Sequence, residues 1–336
     1  MWRIVQCDMQ GRGHKKLGIP CQDKTFFCQR NGIQVIALAD GAGSAKFSED
    51  GAKIAVECVC DKLAMHFEEY LVADDGVSVK RELLQAVRAG LQAKAVDLAC
   101  ETVDLASTLL AVAVSEDHYI LMHIGDGVIG YLKESELKVA SAPENGEFIN
   151  TTVFTTSACA LQSMKLMKGK LGAIAGFVLM SDGTETSFYH RRDKRLAEVL
   201  KRIMHRSVLL PTKEIEKELR RSFKDVITQV TTDDCSLILL ARRSPFFCGY
   251  QELTKEERYS LLNLPQAWTK REIQRGKKKL QRYDELLVYL QECHTRAAIK
   301  GNLHIPKRSL IKYLRYLSER HFVKRQGAGY VTKLML

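Results

Sequence analysis

Val35-Ile36-Ala37-Leu38-Ala39-Asp40-Gly41-Ala42-Gly43-Ser44 is the stretch on which the reading of this chain turns. A short apolar run ends on a carboxylate and then a glycine-rich turn. Such a run, closed by Asp-Gly, predicts a buried strand that delivers its last side chain to a loop. A carboxylate at the mouth of a buried strand is costly unless a partner meets it. That partner could be a metal ion, a nucleotide's hydroxyls, or only the turn. A dinucleotide fingerprint would place its third glycine at position 46, which is Lys46, and the strand's terminal Asp is out of place for it. The Lys-Ser/Thr ending of a phosphate-binding P-loop is also missing. Both nucleotide readings are rejected.

The totals set outer limits. A chain of 336 residues predicts two domains, and 46% apolar residues support a sizeable core. No run of about 18 apolar residues predicts a membrane span, and the N-terminus lacks the pattern of a secretory signal, so a soluble cytoplasmic protein is expected. Ten scattered cysteines form no C-x-x-C pair, which argues against a zinc site or a disulfide framework and for free thiols in a reducing compartment. The net charge of +11 is unevenly placed: residues 251–336 hold 19 Lys+Arg against 8 Asp+Glu, and the first 250 residues hold 32 of each. A neutral body with a basic tail suggests separate tasks for the two.

In chain order, strands are expected over Trp2 to Cys7, Thr25 to Gln29 and Gln34 to Ala39. A glycine-punctuated loop, Gly11 to Asp23, lies between the first two and carries Arg12, His14, Lys15 and Lys16. Helices are expected from Ser48 to about Glu69 and from about Val79 to Cys100, by apolar spacing. Further strands follow at Ser107 to Val114, Tyr119 to Ile124, Val128 to Lys133, Phe177 to Met180 and Cys235 to Ala241, with helices near 194–204 and 213–224. Two helices in succession after strands do not fit the alternation of a doubly wound sheet.

One pattern recurs. Apolar strands adjoin Asp-Gly or Asp-Asp at Asp40, Asp126, Asp182 and Asp233, and Asp23 precedes a strand. Asp-Gly is ordinary turn chemistry, but helix-length segments rather than hairpins follow Asp40 and Asp182. Several carboxylates at the edges of one sheet repel one another unless a shared cation neutralises them. Hard cations such as Mg²⁺ and Mn²⁺ take oxygen ligands of this kind. A carboxylate metal cluster is therefore predicted.

The ordered set Gln22-Asp23, Asp40-Gly41-Ala42-Gly43-Ser44, Ala106-Ser107-Thr108, Gly125-Asp126-Gly127, Ser181-Asp182-Gly183 and Asp233-Asp234 resembles the PP2C (PPM) family of metal-dependent protein serine/threonine phosphatases, in its compact bacterial branch. The segment Glu147 to Thr152 looks like the one before that family's flap. The resemblance spans residues 1–243. It implies an α+β fold, a four-layer α/β/β/α sandwich of two antiparallel sheets with the metals at one end. By motif position Asp40 would bridge two Mn²⁺ or Mg²⁺ ions and Gly41 would lend its carbonyl. Asp182 and Asp233 would complete one metal shell, Asp23 would act on the second, and Asp126 would help hold a third, weaker ion. The implied reaction is hydrolysis of phosphoserine or phosphothreonine by a hydroxide bridging the two metals, without a covalent intermediate. The implied partners are phosphorylated Ser/Thr proteins and a cognate bacterial Ser/Thr kinase.

Two departures from the family pattern stand out. Many members place an Arg upstream of the first acid to grip the phosphate; here Arg12 or His14 is the candidate. Eukaryotic members often carry His between the two glycines after the bridging Asp, where this chain has Ala42, so leaving-group protonation would fall to water or to a residue such as His14. Cys21 and Cys235, each within two residues of an expected ligand, are read as packing residues.

Residues 244–282 are expected to form a partly helical connector. Residues 283–336, with helices near 283–293, 295–300 and 306–320 and a hairpin with Gly327 to Gly329 at its tip, resemble a winged helix-turn-helix. Lys307, Arg308, Lys312 and Arg315 would face a nucleic acid or a docking protein. The reading from another class is a nucleic-acid-binding or docking regulator whose phosphatase-like body is inactive or sensory. All the acidic motif positions are filled, which favours the enzyme.

Overall fold

The structure is a computed structural model, and it describes all residues except 1, 135, 144–151, 243–249, 252, 263, 265–269, 321 and 333–336. The chain divides into two compact units, residues 1–243 and 244–336.

The larger unit is built on two five-stranded antiparallel sheets. One holds β1 (Trp2–Met9), β12 (Cys235–Arg242), β9 (Ile174–Met180), β6 (Val128–Lys133) and β7 (Glu136–Ser141), in the order β1-β12-β9-β6-β7. The other holds β2 (Lys24–Arg30), β3 (Ile33–Ala39), β4 (Leu109–Val114), β5 (His118–Ile124) and β8 (Lys165–Lys170), in the order β2-β3-β4-β5-β8. Between β9 and β12 a two-stranded hairpin pairs β10 (Tyr189–His190) with β11 (Arg195–Leu196).

β3 shows why the apolar run is continuous. Successive side chains of a strand point to opposite faces, and here both faces are covered. Val35, Ala37 and Ala39 belong to the core shared with α2 (Ser48–Val72) and α3 (Gly76–Asp97). Ile36 and Leu38 belong to the core between the sheets, with Leu110, Val112, Phe177, Leu179, Ile238 and Leu240. Alanines on the helix side let α2 lie close to the sheet. α2 buries Ala52, Val56, Val59, Leu63 and Phe67, a spacing that keeps them on one face. Its first turn carries Glu49 and Asp50, favourable beside the helix's positive end. α3 begins where the Asp75 side chain accepts from the Val77 and Ser78 amides, so it starts three residues before the apolar pattern announces it. On the opposite side, the helices Glu198–Leu209 and Thr212–Ser222 pack on β1 and β12 through Leu200, Met204, Ile215 and Leu219. The result is the expected four-layer α/β/β/α order.

Several local expectations are corrected. The loop after Gly11 contains a short helix, α1 (Arg12–Leu17), closed by Gly18 in the left-handed conformation at φ 68°. The helix expected near 194–204 begins at Glu198, because residues 189–196 form the β10–β11 hairpin. The edge strands β7 and β8 carry no strong apolar alternation and were not foreseen. Nine described cysteines are free; Cys7, Cys60 and Cys235 are buried, whereas Cys159 and Cys293 are exposed. Among the described residues no helix is long and apolar enough to cross a membrane.

The smaller unit contains the helices Lys255–Leu261, Lys270–Tyr289, Arg296–Leu303 and Lys307–Glu319. Its three-stranded sheet holds β13 (His294–Thr295), β14 (Val323–Gln326) and β15 (Gly329–Thr332), in the order β13-β15-β14. The helix from Lys270 runs on through Tyr283, so no break separates the expected connector from the expected first helix. Leu310, Leu314 and Leu317 of the basic helix are buried, and Lys307, Arg308, Lys312 and Arg315 are exposed.

Candidate active site

Asp40 is the next residue after the inter-sheet row Ile36, Leu38 of β3, and it leaves the strand at a clamped turn. The Thr108 amide donates to the Asp40 carbonyl at 2.8 Å, and the Thr108 hydroxyl accepts from the Asp40 amide at 2.9 Å. The Gly41 amide donates to Gln22 O at 3.2 Å, and Ala42 N to Ala106 O at 2.9 Å. A Cβ at Gly41 would lie 2.8–2.9 Å from Ser48 atoms, backbone included, so glycine is what lets the start of α2 sit against this turn. The motif Ala106-Ser107-Thr108 thus serves to hold Asp40.

The other acidic motifs converge on the same end of the sandwich. Asp182 opens a short turn, Asp182–Thr184, directly after β9. A Cβ at Gly183 would sit 1.9 Å from Asp234 O, so the two motifs are packed backbone to backbone. Asp126 follows β5, and the Thr152 hydroxyl donates to its Oδ2 at 2.6 Å. Gly125 has φ 111°, and its missing Cβ would lie 2.6 Å from the Thr108 side chain. Thr152 ends the expected pre-flap segment; Glu147 to Thr151 lie outside the described residues.

Asp23 is fully buried. Ser236 N donates to Ser181 Oγ at 3.0 Å, and Ser181 donates on to Asp23 Oδ2 at 2.8 Å. Asp23 Oδ1 and Asp182 Oδ1 are buried and meet no hydrogen-bond donor among the described residues.

The protonation equilibria record this crowding. Burial, ahead of any other cause, pushes the Asp23 carboxyl up to about 7, and Asp234 adds to it. Burial followed by the charges of Asp126 and Asp233 raises Asp182 to about 6. Asp40 is raised well above the carboxylate range by burial and by Asp23, Asp182 and Asp233, and its carboxyl lies within hydrogen-bonding reach of Asp182. Like charges this close cannot all ionise without a counter-charge. Buried carboxylate oxygens without donors, facing other carboxylates, fit a hard divalent cation. Among the described residues no three His, Cys, Asp or Glu side chains stand close enough together to hold a metal ion by themselves. An open arrangement is what an ion that keeps part of its water shell uses.

Asp233 and Asp234 divide the work of their motif. Asp233 is exposed, takes part electrostatically with Asp40 and Asp182, and accepts from Asp234 N at 2.9 Å. Asp234 is buried, and its two oxygens accept from Gly11 N and Gln22 N at 2.6 Å each. It ties together the segments that lead into α1 and Asp23. His14 Nδ1 lies 2.9 Å from Asp234 Oδ2, at ion-pair distance but not aligned as a hydrogen bond. Arg12 is exposed on α1, and its Nε donates to Thr231 O at 3.4 Å.

Three contributors were missed by sequence reasoning. The first is the tie made by Asp234, invisible because it depends on partners more than 200 positions away. The second is His123, buried, with Nε2 3.0 Å from the Gly125 carbonyl and Nδ1 2.6 Å from Ser141 Oγ. A carbonyl only accepts, so Nε2 carries a proton; the ring thereby braces the loop that presents Asp126. The third is Arg191, held by the buried Glu185 carboxylate and within electrostatic range of Asp126 and Asp182. Burial pushes the Cys235 thiol up to about 12 and raises Cys21 as well. Both stay protonated and unreactive at neutral pH, in keeping with packing roles.

Comparison with known proteins agrees with this fold. The family model for protein phosphatase 2C matches residues 10–223. Serine/threonine-protein phosphatase 3 of Escherichia coli (strain K12) is 27% identical over 184 residues, covering 52% of this chain and 72% of that protein. Among solved structures, a bacterial serine phosphatase superposes with a TM-score of 0.52 at 14% identity, covering 73% of this chain and 99% of that one. Serine/threonine phosphatase Stp1 of Staphylococcus aureus superposes with a TM-score of 0.52 at 16% identity, covering 73% and 96%. The chain therefore belongs to the protein phosphatase 2C family, and its larger unit is that of a metal-dependent protein serine/threonine phosphatase.

Proposed function

We propose that this chain hydrolyses phosphoserine and phosphothreonine on protein substrates, with Asp23, Asp40, the Gly41 carbonyl, Asp126, Asp182 and Asp233 holding Mn²⁺ or Mg²⁺. The observation that carries the reading is the meeting of the buried Asp23 with Asp40, Asp182 and the exposed Asp233 in one mutually repelling group. Bound divalent cations would neutralise the phosphate dianion and lower the pKa of a water. The chain's own residues supply the rest. The Thr108 clamp fixes Asp40, and His123 and Thr152 orient Asp126. Asp234 holds Asp23 and α1 in place. Arg12 and His14, on α1 beside the Thr231–Asp234 segment, are assigned to the phosphate, and Arg191 adds a cation on the other flank. With Ala42 after the bridging position, the leaving group takes its proton from water or from His14. The counteracting enzyme would be a Ser/Thr kinase.

For the smaller unit we infer binding of nucleic acid or of a protein partner through its exposed basic helix. The chemistry is tested by hydrolysis of a chromogenic aryl phosphate with and without Mn²⁺, beside Asp40→Asn and Asp182→Asn. Metal-dependent turnover in the wild type and its loss in both variants is expected. Full activity in either variant, or none in the wild type with metal, would overturn the reading.

A further inference from the structure

α1 departs from the charge balance of the unit that carries it. Residues 1–250 hold 32 Lys+Arg and 32 Asp+Glu, yet no acid occurs between Asp8 and Asp23, where Arg12, Lys15 and Lys16 fall. These three stand at i, i+3 and i+4, which puts them on one face of the helix, and all three are exposed. The other side of α1 makes its attachment. The Gly13 amide donates to Thr232 O at 2.8 Å, and His14 Nδ1 lies 2.9 Å from Asp234 Oδ2. The helix is thus held as a ridge with its cations outward.

The charges on this ridge are uncompensated. Elsewhere on the unit Lys24, Lys62 and Lys94 pair with Glu49, Glu82 and Asp50. Arg12, Lys15 and Lys16 form no ion pair among the described residues, and Arg12 Nε donates to the neutral Thr231 carbonyl. The two carboxylates that α1 packs on are already engaged. Asp234 accepts from Gly11 N and Gln22 N, and Asp233 belongs to the acidic cluster. The ridge also adjoins the site: a Cβ on Gly11 would lie 2.2 Å from Asp233 O. Lys16 is five residues further on, about 8 Å along the helix, a distance over which exposed charges still act at physiological salt. An extended peptide advances about 3.3 Å per residue, so side chains about two to four positions from a phosphoamino acid at the cluster come within reach of Lys15 and Lys16.

We propose that Lys15 and Lys16 select phosphoproteins that carry acidic residues two to four positions from the phosphoserine or phosphothreonine. The inference rests on the phosphatase reading for its occupant. Arg12 begins the ridge at the phosphate, and the two lysines continue it onto the flanking carboxylates. A site built from carboxylates repels an acidic sequence, and these cations offset that repulsion from outside the metal cluster. An exposed ion pair supplies a factor of about two to five in affinity, so two of them set a preference of roughly 4- to 25-fold.

The test is fluorescence anisotropy of the full chain with two labelled phosphothreonine peptides, one flanked by aspartates and one by asparagines, in chelator so that neither is turned over. The aspartate peptide is expected to bind at least about fourfold tighter at 50 mM NaCl, with the gap shrinking at 300 mM as the charges are screened. The double variant Lys15→Glu/Lys16→Glu is expected to reverse the preference, and the milder Lys15→Gln/Lys16→Gln to abolish it, while aryl phosphate turnover with Mn²⁺ stays within about twofold in both. With the aspartate peptide as substrate, the same variants should raise KM and leave kcat unchanged. A ridge that is only a solvated basic face predicts equal binding of the two peptides by the wild type, which would overturn the proposal. A preference that survives in both variants would also overturn it and would place the acidic peptide elsewhere, as on the basic C-terminal unit. A wild type whose preference is lost in the variants but which hydrolyses no aryl phosphate would support the ridge and remove the catalytic reading.

Discussion

The two neighbours Asp233 and Asp234 should respond oppositely to the same mild change. Asp234→Asn replaces one carboxylate oxygen by an NH₂ group. Each oxygen now accepts a 2.6 Å bond from a backbone amide, Gly11 N on one and Gln22 N on the other. The asparagine can serve only one of them, and its amide nitrogen faces the other as a second donor. A lost bond to a charged acceptor, with its donor left buried, costs roughly 2–3 kcal/mol. For a unit of residues 1–243, each kcal/mol lowers Tm by about 2–4 °C, so a fall of about 4–12 °C is expected. Asp233→Asn removes an exposed carboxylate that accepts one local bond; its effect on stability should stay within about 0.5 kcal/mol while Mn²⁺-dependent turnover is lost. The assay is calorimetric melting of both variants in chelator, beside aryl phosphate turnover with Mn²⁺. A Tm for Asp234→Asn within 2 °C of wild type would refute the assignment of Asp234 as the tie between Gly11 and Gln22.

Other consequences can be checked with equal directness. Gly183→Ala puts a Cβ 1.9 Å from Asp234 O, so it should destabilise by roughly 1–3 kcal/mol and displace Asp182, with melting and turnover falling together. The metal-free protein should lose stability as pH rises from about 4 to 7. Asp23 and Asp182 have folded values of about 7 and about 6, above their ordinary 3.8, so their contribution is full below the unfolded value and is lost as pH rises through the folded ones. Saturating Mn²⁺ should flatten that dependence, and thermal melts at four pH values with and without metal would show it. Asp40→Asn should lower turnover by at least 100-fold yet raise the metal-free Tm at pH 7, because it removes the cost of burying or protonating that carboxyl beside the others; a lower Tm would contradict the repulsion argument. If the smaller unit binds DNA through Lys307, Arg308, Lys312 and Arg315, four phosphate contacts predict a salt slope of about −3.6 in a mobility-shift titration.

The motifs were legible because each carries its own local reason. An apolar strand followed by Asp-Gly shows itself in ten residues, and the glycines at 41, 125 and 183 mark places where backbone meets backbone or a neighbouring side chain. The long helices were legible because α2 and α3 bury one continuous stripe. What escaped depends on distant partners. β8 reads Lys-Leu-Met-Lys-Gly-Lys and is a strand only because β5 offers it an edge. α1 has no buried residue of its own and is anchored by the Gly13 amide on Thr232 O, at 2.8 Å. Arg191 gains its place from Glu185 and from a hairpin of two-residue strands, too short for periodicity to reveal.

β3 is buried on both faces, with Ile36 and Leu38 toward the second sheet and Ala37 and Ala39 toward α2. A slip of one residue in its pairing would exchange those faces. It would force isoleucine and leucine into space made for alanine, and it would carry Asp40 out of the inter-sheet row. The same packing that excludes the slipped strand therefore fixes the direction of the carboxylate. Turnover becomes a readout of strand registry: a single residue inserted between Leu38 and Asp40 should silence the enzyme, whereas one inserted in the exposed Asn31-Gly32 turn should be absorbed there.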